Sequence, residues 1–280
     1  MNYRHAFHAG GFADVLKHAI LAQWITRLHA KDSPFVIIDA HAGIGRYDLT
    51  GSEAGRTLEW QDGIARLESC RPEAGDFLAP YLDYVRALNP GGTLKAYPGS
   101  PRVARSLLRR QDRLVAVELH PEDHARLVTE FAADRQVSIR HEDAYQTLRA
   151  LLPPPERRGL VLIDPPFELK DEMERLVRGM TEALRRWPTG GYLIWYPIKD
   201  VIGVAHLQER LGAMAGRNAL ACDLFVREPA DASKLNGSGL VLINPPWQFD
   251  EALRAVMPDL VARLAQGPGA RASVGWLAQA

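Results

Sequence analysis

The sequence predicts an α/β protein: a mainly parallel sheet of the seven-stranded type, covered by helices on both faces and carrying a small helical insertion. Three observations carry that expectation. Short apolar runs alternate with amphipathic segments along the chain, the rhythm of parallel strands joined by crossover helices. Four of those runs close on an acid, at Asp39, Glu118, Asp143 and Asp164, and in an open parallel sheet the C-terminal strand ends border the ligand crevice. Finally, 46% of the 280 residues are hydrophobic and 24% charged, the balance of a folded domain with a core of normal size.

The elements follow in order. Phe12, Val15, Leu16, Ile20, Trp24 and Leu28 fall on one helical face. Pro34 introduces Phe35 to Asp39, an apolar run typical of a buried strand, and Ala40 to Arg46 then form a tight turn of small residues. In dinucleotide-type folds the ribose-binding acid follows such a turn by about 20 residues. Here Gly45 and Glu118 are 73 apart (118 − 45). Residues 48–95 are therefore read as an insertion beside the ligand end of the sheet, with helical patterns at Leu58–Leu67 and Phe77–Leu88 and a stop at Asn89-Pro90-Gly91-Gly92. Helices are expected at 101–110, 121–132, 145–152 and 170–187, between strands at 114–117, 137–139, 160–163 and 192–196. Three late strands, 220–226, 240–243 and 272–277, predict an antiparallel edge whose pairing the sequence leaves open. The whole reads as one domain, 1–280, with an N-terminal arm at 1–18 and the insertion at about 48–95.

Lysine plus arginine and aspartate plus glutamate both number 34. The total charge therefore favours no nucleic-acid partner; only local clustering can. Cys70 and Cys222 form no CxxC pair or disulfide framework, which predicts a reducing, cytoplasmic setting. Met1 to His5 lack the apolar run of a leader, and no stretch reaches a membrane-spanning length, so no membrane partner is expected. No long heptad calls for a protein partner, leaving a monomer as the default. The histidines of the arm have no cysteine partners in a zinc-ligand spacing, and no metal is expected.

The sharpest chemical signal is Asp164-Pro165-Pro166-Phe167, directly after the fourth strand. An adenine amine is a poor nucleophile because its lone pair is delocalised into the ring. Accepting both N–H groups, one on the Asp164 carboxylate and one on the Pro165 carbonyl, draws it toward sp3 character. Proline rigidity suits that task, and Phe167 suits stacking on the base. The alternative is a plain strand-ending turn, and motif matches of this length often mislead. Asn244-Pro245-Pro246-Trp247 has the same shape but follows the wrong strand, so it is read as structural, with a lesser possibility that Trp247 lines the substrate surface.

Around these lie candidate cofactor contacts. Asp39, His41 and Gly43 belong to the Gly turn, which lets backbone approach a ligand, although a lone GxG serves many nucleotides. Glu118 suits two ribose hydroxyls, and Asp143 with Ala144 the edge of an adenine; the bland reading of each acid is a strand-end surface charge. Ser100 before Pro101 reads as a helix N-cap. Arg102, Arg105 and Arg109 share a helical face, either solvated or aligned on phosphates, the latter implying salt-dependent binding. In the arm, Lys17 and His18 suit the carboxylate of a cofactor, and Tyr3 and His5 a target base.

Taken together, the segments Tyr3–Gly10, Ala13–His18, Asp39–Gly43, Tyr97–Pro101, Glu118–Pro121, Leu162–Pro166, Trp195–Pro197 and Asn244–Trp247 resemble, in order and over essentially the whole chain, the bacterial 23S ribosomal RNA adenine-N6 methyltransferases. Phe167 stands where that family often has tyrosine. The resemblance implies a Rossmann-like class I methyltransferase, S-adenosyl-L-methionine as donor and one adenosine of 23S rRNA as substrate. It also implies cofactor contacts at His18, His41, Ser100, Glu118, Asp143 and Ala144, a catalytic Asp164, and a need for Tyr3, His5 and Lys17. Two rival readings remain: a DNA adenine-N6 methyltransferase using the same pocket, and a non-catalytic RNA-binding assembly factor that keeps the fold.

Overall fold

The computed structural model describes residues 5–68, 77–169, 171–215 and 218–277. After a 3-10 turn at His5–Phe7 come α1 (Phe12–Leu28), β1 (Val36–Asp39), β2 (Arg46–Asp48), α2 (Ser52–Thr57), α3 (Ile64–Glu68), α4 (Ala79–Leu88), β3 (Ala96–Pro98), α5 (Ser100–Ser106) and β4 (Arg113–Val117). They are followed by α6 (Pro121–Glu130), β5 (Val137–Arg140), α7 (Ala144–Leu151), β6 (Gly159–Ile163), α8 (Glu172–Arg186) and β7 (Gly191–Ile198). The chain continues through α9 (Val201–Ala215), β8 (Ala219–Phe225), β9 (Gly237–Ile243), α10 (Phe249–Leu264) and β10 (Arg271–Trp276).

Among the described residues, eight strands form one sheet in the order β10-β8-β9-β7-β6-β1-β4-β5. The five strands from β7 to β5 pair parallel, and the remaining three add antiparallel. The late strands thus do form the antiparallel edge, and β10, expected at 272–277, makes the sheet eight-stranded where the seven-stranded type was expected. Because side chains alternate along a strand, β1 sends Ile37 into one core, and Val36 and Ile38 into the other. The first core joins α1, α4, α5, α6 and α10 to the sheet; the second joins α7, α8 and α9. Helix α1 is buried nearly all round, with Leu16, Ile20 and Trp24 inside, as befits a helix apolar on every face.

Several expectations need correcting. The insertion does not project from the sheet: Ile64, Leu67, Phe77, Tyr81, Leu82 and Val85 lie in the same core as α1 and α10. Residues 46–48 and 96–98 bracket it as a two-stranded sheet, too short for a periodic signal. The arm ends earlier than expected, since residues 12–18 already belong to buried α1. The helix after Pro101 stops at Ser106, leaving Arg109 outside it. Among the described residues, no helix is long and apolar enough to cross a membrane.

Candidate active site

The parallel strands bring Asp39, Glu118 and Asp164 to one edge of the sheet, with Asp143 just beyond β5. Asp39 closes β1 and is 1% exposed; Oδ1 faces the His41 amide at 3.4 Å, while Oδ2 has no hydrogen-bond partner. Burial pushes its carboxyl up to about 7, with the neighbouring Ser100 hydroxyl working against that rise. Ser100 is the first residue of α5, whose N-cap is Gly99. The expected Ser100 cap is therefore wrong, since Ser100 already stands inside the helix.

Gly43 has φ +61°, and a Cβ there would lie 2.4 Å from the Tyr47 hydroxyl, so a larger residue would have to displace the Tyr47 ring and take a left-handed backbone. Glu118 braces this turn: Oε2 accepts from the Gly43 amide at 2.9 Å and Oε1 from the His120 amide at 2.7 Å. Burial raises its carboxyl above the usual range. Asp143 caps α7 through Oδ1, accepting from Tyr145 and Gln146 amides at 3.0 Å, and pairs with Arg175 at 3.1 Å through Oδ2. Its carboxylate is therefore already engaged, and the first amide of α7, at Ala144, is the more open group toward a ligand.

The second half of the site surrounds Asp164. Its backbone amide donates to His41 Nδ1 at 3.2 Å. Burial pushes the His41 imidazole down to about 4, which keeps that nitrogen a neutral acceptor. Asp164 Oδ2 meets Lys17 Nζ at 2.5 Å, and Lys17 also reaches Asp14 Oδ1 at 2.9 Å. Burial alone would lower the Lys17 ammonium, but the two carboxylates more than offset it and hold the lysine charged. Among the described residues, nothing donates to Asp164 Oδ1 or to the Pro165 carbonyl. Phe167 has φ +51°, an unfavourable region for a bulky side chain, and its ring meets Trp195 edge to face at 5.8 Å.

In the arm, Lys17 pairs with the carboxylates of Asp164 and Asp14. His18 is buried, donates to or accepts from Tyr97 Oη at 2.8 Å, and is pushed down to about 3 by burial, so it offers no positive charge. His5 Nε2 lies 2.9 Å from Asp14 Oδ2, and His8 Nδ1 lies 2.8 Å from Glu59. Tyr3 lies outside the described residues. Asp14 is the organiser that sequence reasoning passed over: it accepts from Gly10, His5 and Lys17. Its i, i+3 spacing to Lys17 was the available signal.

The arginine path also requires correction. Arg102 pairs with Glu130 at 2.5 Å, Arg105 with Asp134 at 2.5 Å, and Arg109 with Asp112 at 2.8 Å. Each is committed to an acid of its own chain, so the three do not form a free basic stripe.

The competing Pro-Pro loop lies at the wrong end. Strand β9 runs antiparallel to β7, with Ile243 opposite Tyr192, whereas Ile163 lies beside Ile194. Asn244 is therefore about four residues, roughly 13 Å, from the level of Asp164 along the strand direction. Its amide instead ties Pro188 and Gly190 carbonyls at 2.9 and 2.8 Å.

A sheet wound with helices on both faces, with an acid-braced Gly turn after β1 and an Asp-Pro-Pro-Phe loop after β6, defines a Rossmann-like class I methyltransferase. Comparison with known proteins narrows the class. Residues 32–278 match the family model described as Ribosomal RNA large subunit methyltransferase D, RlmJ. The chain is 40% identical over 277 residues to "Ribosomal RNA large subunit methyltransferase J" of Escherichia coli (strain K12), covering 99% of both chains. It is 39% identical over 278 residues to the protein of that name from Haemophilus influenzae, again covering 99% of both. The crystal structure of protein LPL1258 from Legionella pneumophila superposes with a TM-score of 0.88 at 32% identity, covering 96% of this chain and 98% of that one. The chain belongs to the RlmJ family of ribosomal RNA large subunit methyltransferases.

Proposed function

We propose that this chain transfers a methyl group from S-adenosyl-L-methionine to the exocyclic N6 amine of one adenosine in 23S rRNA. The observation that carries this reading is the Asp164 loop. One carboxylate oxygen is held by Lys17, and the other, like the adjacent Pro165 carbonyl, has no donor among the described residues. Two acceptors side by side suit the two hydrogens of a planar amine. Accepting both weakens conjugation with the ring and exposes the nitrogen lone pair, while Phe167 is suited to stack on the base. Lys17 anchors the Asp164 carboxylate. His41 fixes the loop's backbone, which favours in-line attack through positioning.

The residues also fit the donor. Asp39 Oδ2 is a buried carboxylate oxygen without a hydrogen-bond partner, suited to a hydroxyl, an ammonium or another cation. Gly43 leaves room for close approach, and Glu118 keeps lone pairs for ribose hydroxyls. Asp39, His41, Gly43, Ser100, Glu118, Asp143 and Ala144 would hold the cofactor. When bound, it supplies an electrophilic methyl group on a sulfonium. The acceptor adenosine must be unpaired or flipped, because a stacked base cannot enter such a pocket. We further take the enzyme to work in the cytoplasm as a monomer without an obligate protein partner, with sedimentation of the purified chain as the check.

The test is methyl transfer to a 23S rRNA transcript, read by nucleoside mass spectrometry. Asp164→Ala should remain folded and lose at least about 100-fold in turnover, the scale of a lost transition-state hydrogen bond. A folded Asp164→Ala protein with normal turnover would refute the proposal. DNA of matched sequence, methylated as well as the transcript, would favour the DNA enzyme.

A further inference from the structure

We propose that Trp195 is an acceptor-base-binding residue, forming with Phe167 a two-walled aromatic corner that seats the target adenine against Asp164. This rests on the proposed adenine-N6 reaction and adds a residue to it. The register puts Trp195 there: Ile163 is paired with Ile194 on the neighbouring parallel strand, so Asp164 and Trp195 are the next residues on each. The indole on β7 is half-buried and packs against the core that carries α1. Its orientation is fixed by a hydrogen bond from Nε1 to Ser238 Oγ at 2.8 Å, which satisfies the ring's single donor.

Two contacts tie this ring to the chemistry. The Phe167 and Trp195 ring centroids are 5.8 Å apart with planes inclined by 63°. Lys17 Nζ, which grips Asp164, lies 5.9 Å from the Trp195 ring centroid. A planar base can lie parallel to one of two rings so inclined, and it then meets the other with its edge. Both arrangements are favourable for aromatic groups, whose faces are electron-rich and whose edges are electron-poor. Phe167 alone leaves an adenine free to slide in its own plane. A second wall at a steep angle removes that freedom and sets how deep the base sits, hence whether its amine meets Asp164 and Pro165. An ordinary core tryptophan would explain the Ser238 bond, but not a half-buried ring level with the amine-gripping acid and against its strained stacking partner.

The experiment compares wild type, Trp195→Phe and Trp195→Leu, with S-adenosylhomocysteine affinity by calorimetry and melting temperature as controls. The acceptor is a 23S rRNA transcript. Trp195→Leu should lose about 10- to 100-fold in kcat/KM, the range carried by one base–aromatic contact, with cofactor affinity within about twofold of wild type by the same scale. Trp195→Phe, which keeps an aromatic wall but loses the Ser238 bond, should recover most of that loss. Equal kcat/KM for the folded Leu and Phe variants overturns the proposal, as does a Leu variant whose turnover matches wild type. If the Leu variant does not fold, Trp195→Met takes its place in the same comparison with Phe. Wild type that leaves every adenine of the transcript unmethylated refutes the proposed function itself, and is thereby distinct from a failure confined to Trp195.

Discussion

Replacing Lys17 with methionine isolates the charge that holds the two halves of the site together. Methionine keeps most of the stem and removes the ammonium. The lysine side chain is 4% exposed, and its partners Asp14 and Asp164 are 2% and 14% exposed. Removing one partner of a buried ion pair typically costs 3–5 kcal/mol. Asp14 retains His5 at 2.9 Å and the Gly10 amide at 3.0 Å, and Asp164 keeps some contact with water. The lower end, about 3 kcal/mol, is therefore expected, or roughly 6–12 °C in Tm. The deficit should also depend on pH. In wild type, burial would raise the Asp14 carboxyl, but His5 and Lys17 hold it well below its ordinary value, so its contribution survives well into acid. Without Lys17, the Asp14 and Asp164 carboxylates lose the ammonium they share, and the buried Asp14 gains a reason to bind a proton. The variant's deficit should thus be largest near pH 8 and shrink toward pH 5, because protonation removes the uncompensated charge. Asp164→Asn added to Lys17→Met should restore much of the stability without restoring activity. Thermal denaturation from pH 5 to 8 reads all of this. A variant melting with wild type at pH 8, or a deficit unchanged across that range, would refute the reasoning.

Three further outcomes follow from individual groups. Asp39→Asn should stabilise the protein at pH 8 while weakening cofactor binding: a carboxyl raised to about 7 contributes full stability below about pH 4 and loses it as pH climbs through 7, on the order of 4 kcal/mol. Equal melting of variant and wild type at pH 8 would contradict it. His18, pushed down to about 3 by burial, contributes stability above its unfolded value near 6.5 that is lost as pH falls toward 3, at about 1.4 kcal/mol per pH unit. Urea denaturation of His18→Gln should show a pH slope shallower by that amount, and an unchanged slope would count against it. Asn244→Ala should cost about 1–3 kcal/mol, through two lost carbonyl contacts, yet leave methyl transfer near normal; a large loss of turnover would move the site.

Much of this architecture was legible in the residues. Buried parallel strands are continuous apolar runs, so 35–39, 114–117 and 160–163 stood out, and the acids closing them lie together at one edge of the sheet. Chain order alone separated Asp164 from Asn244. What escaped depends on contacts remote in sequence. Lys17 meets Asp164 across 147 positions, and no local pattern distinguishes that pairing from one with a cofactor. Arg102 and Arg105 looked like a basic face because Glu130 and Asp134, which neutralise them, lie 28 and 29 residues away. Helices α9 and α10 were not read at all. The second carries Pro258 in its interior, a residue that ordinarily argues against helix.

The two Pro-Pro loops make opposite use of similar backbone. The near loop places Phe167 in the left-handed region at φ +51°; the far one places Asn244 there at φ +54° and Gln248 at φ +56°. Asparagine tolerates that conformation and here uses its side chain to tie two carbonyls, so Asn244 itself is locally at ease. Phenylalanine has no such compensation, and a conformation of this kind costs on the order of 1–3 kcal/mol. The same edge of the sheet also buries an Asp39 oxygen without a hydrogen-bond partner and two carboxylates that need one lysine. Unsatisfied and crowded acid therefore accumulates around Asp164 and not around Asn244. A fold selected for stability alone would relieve both ends alike. The unsatisfied acid at one end alone selects the same loop that the amine-binding geometry selects.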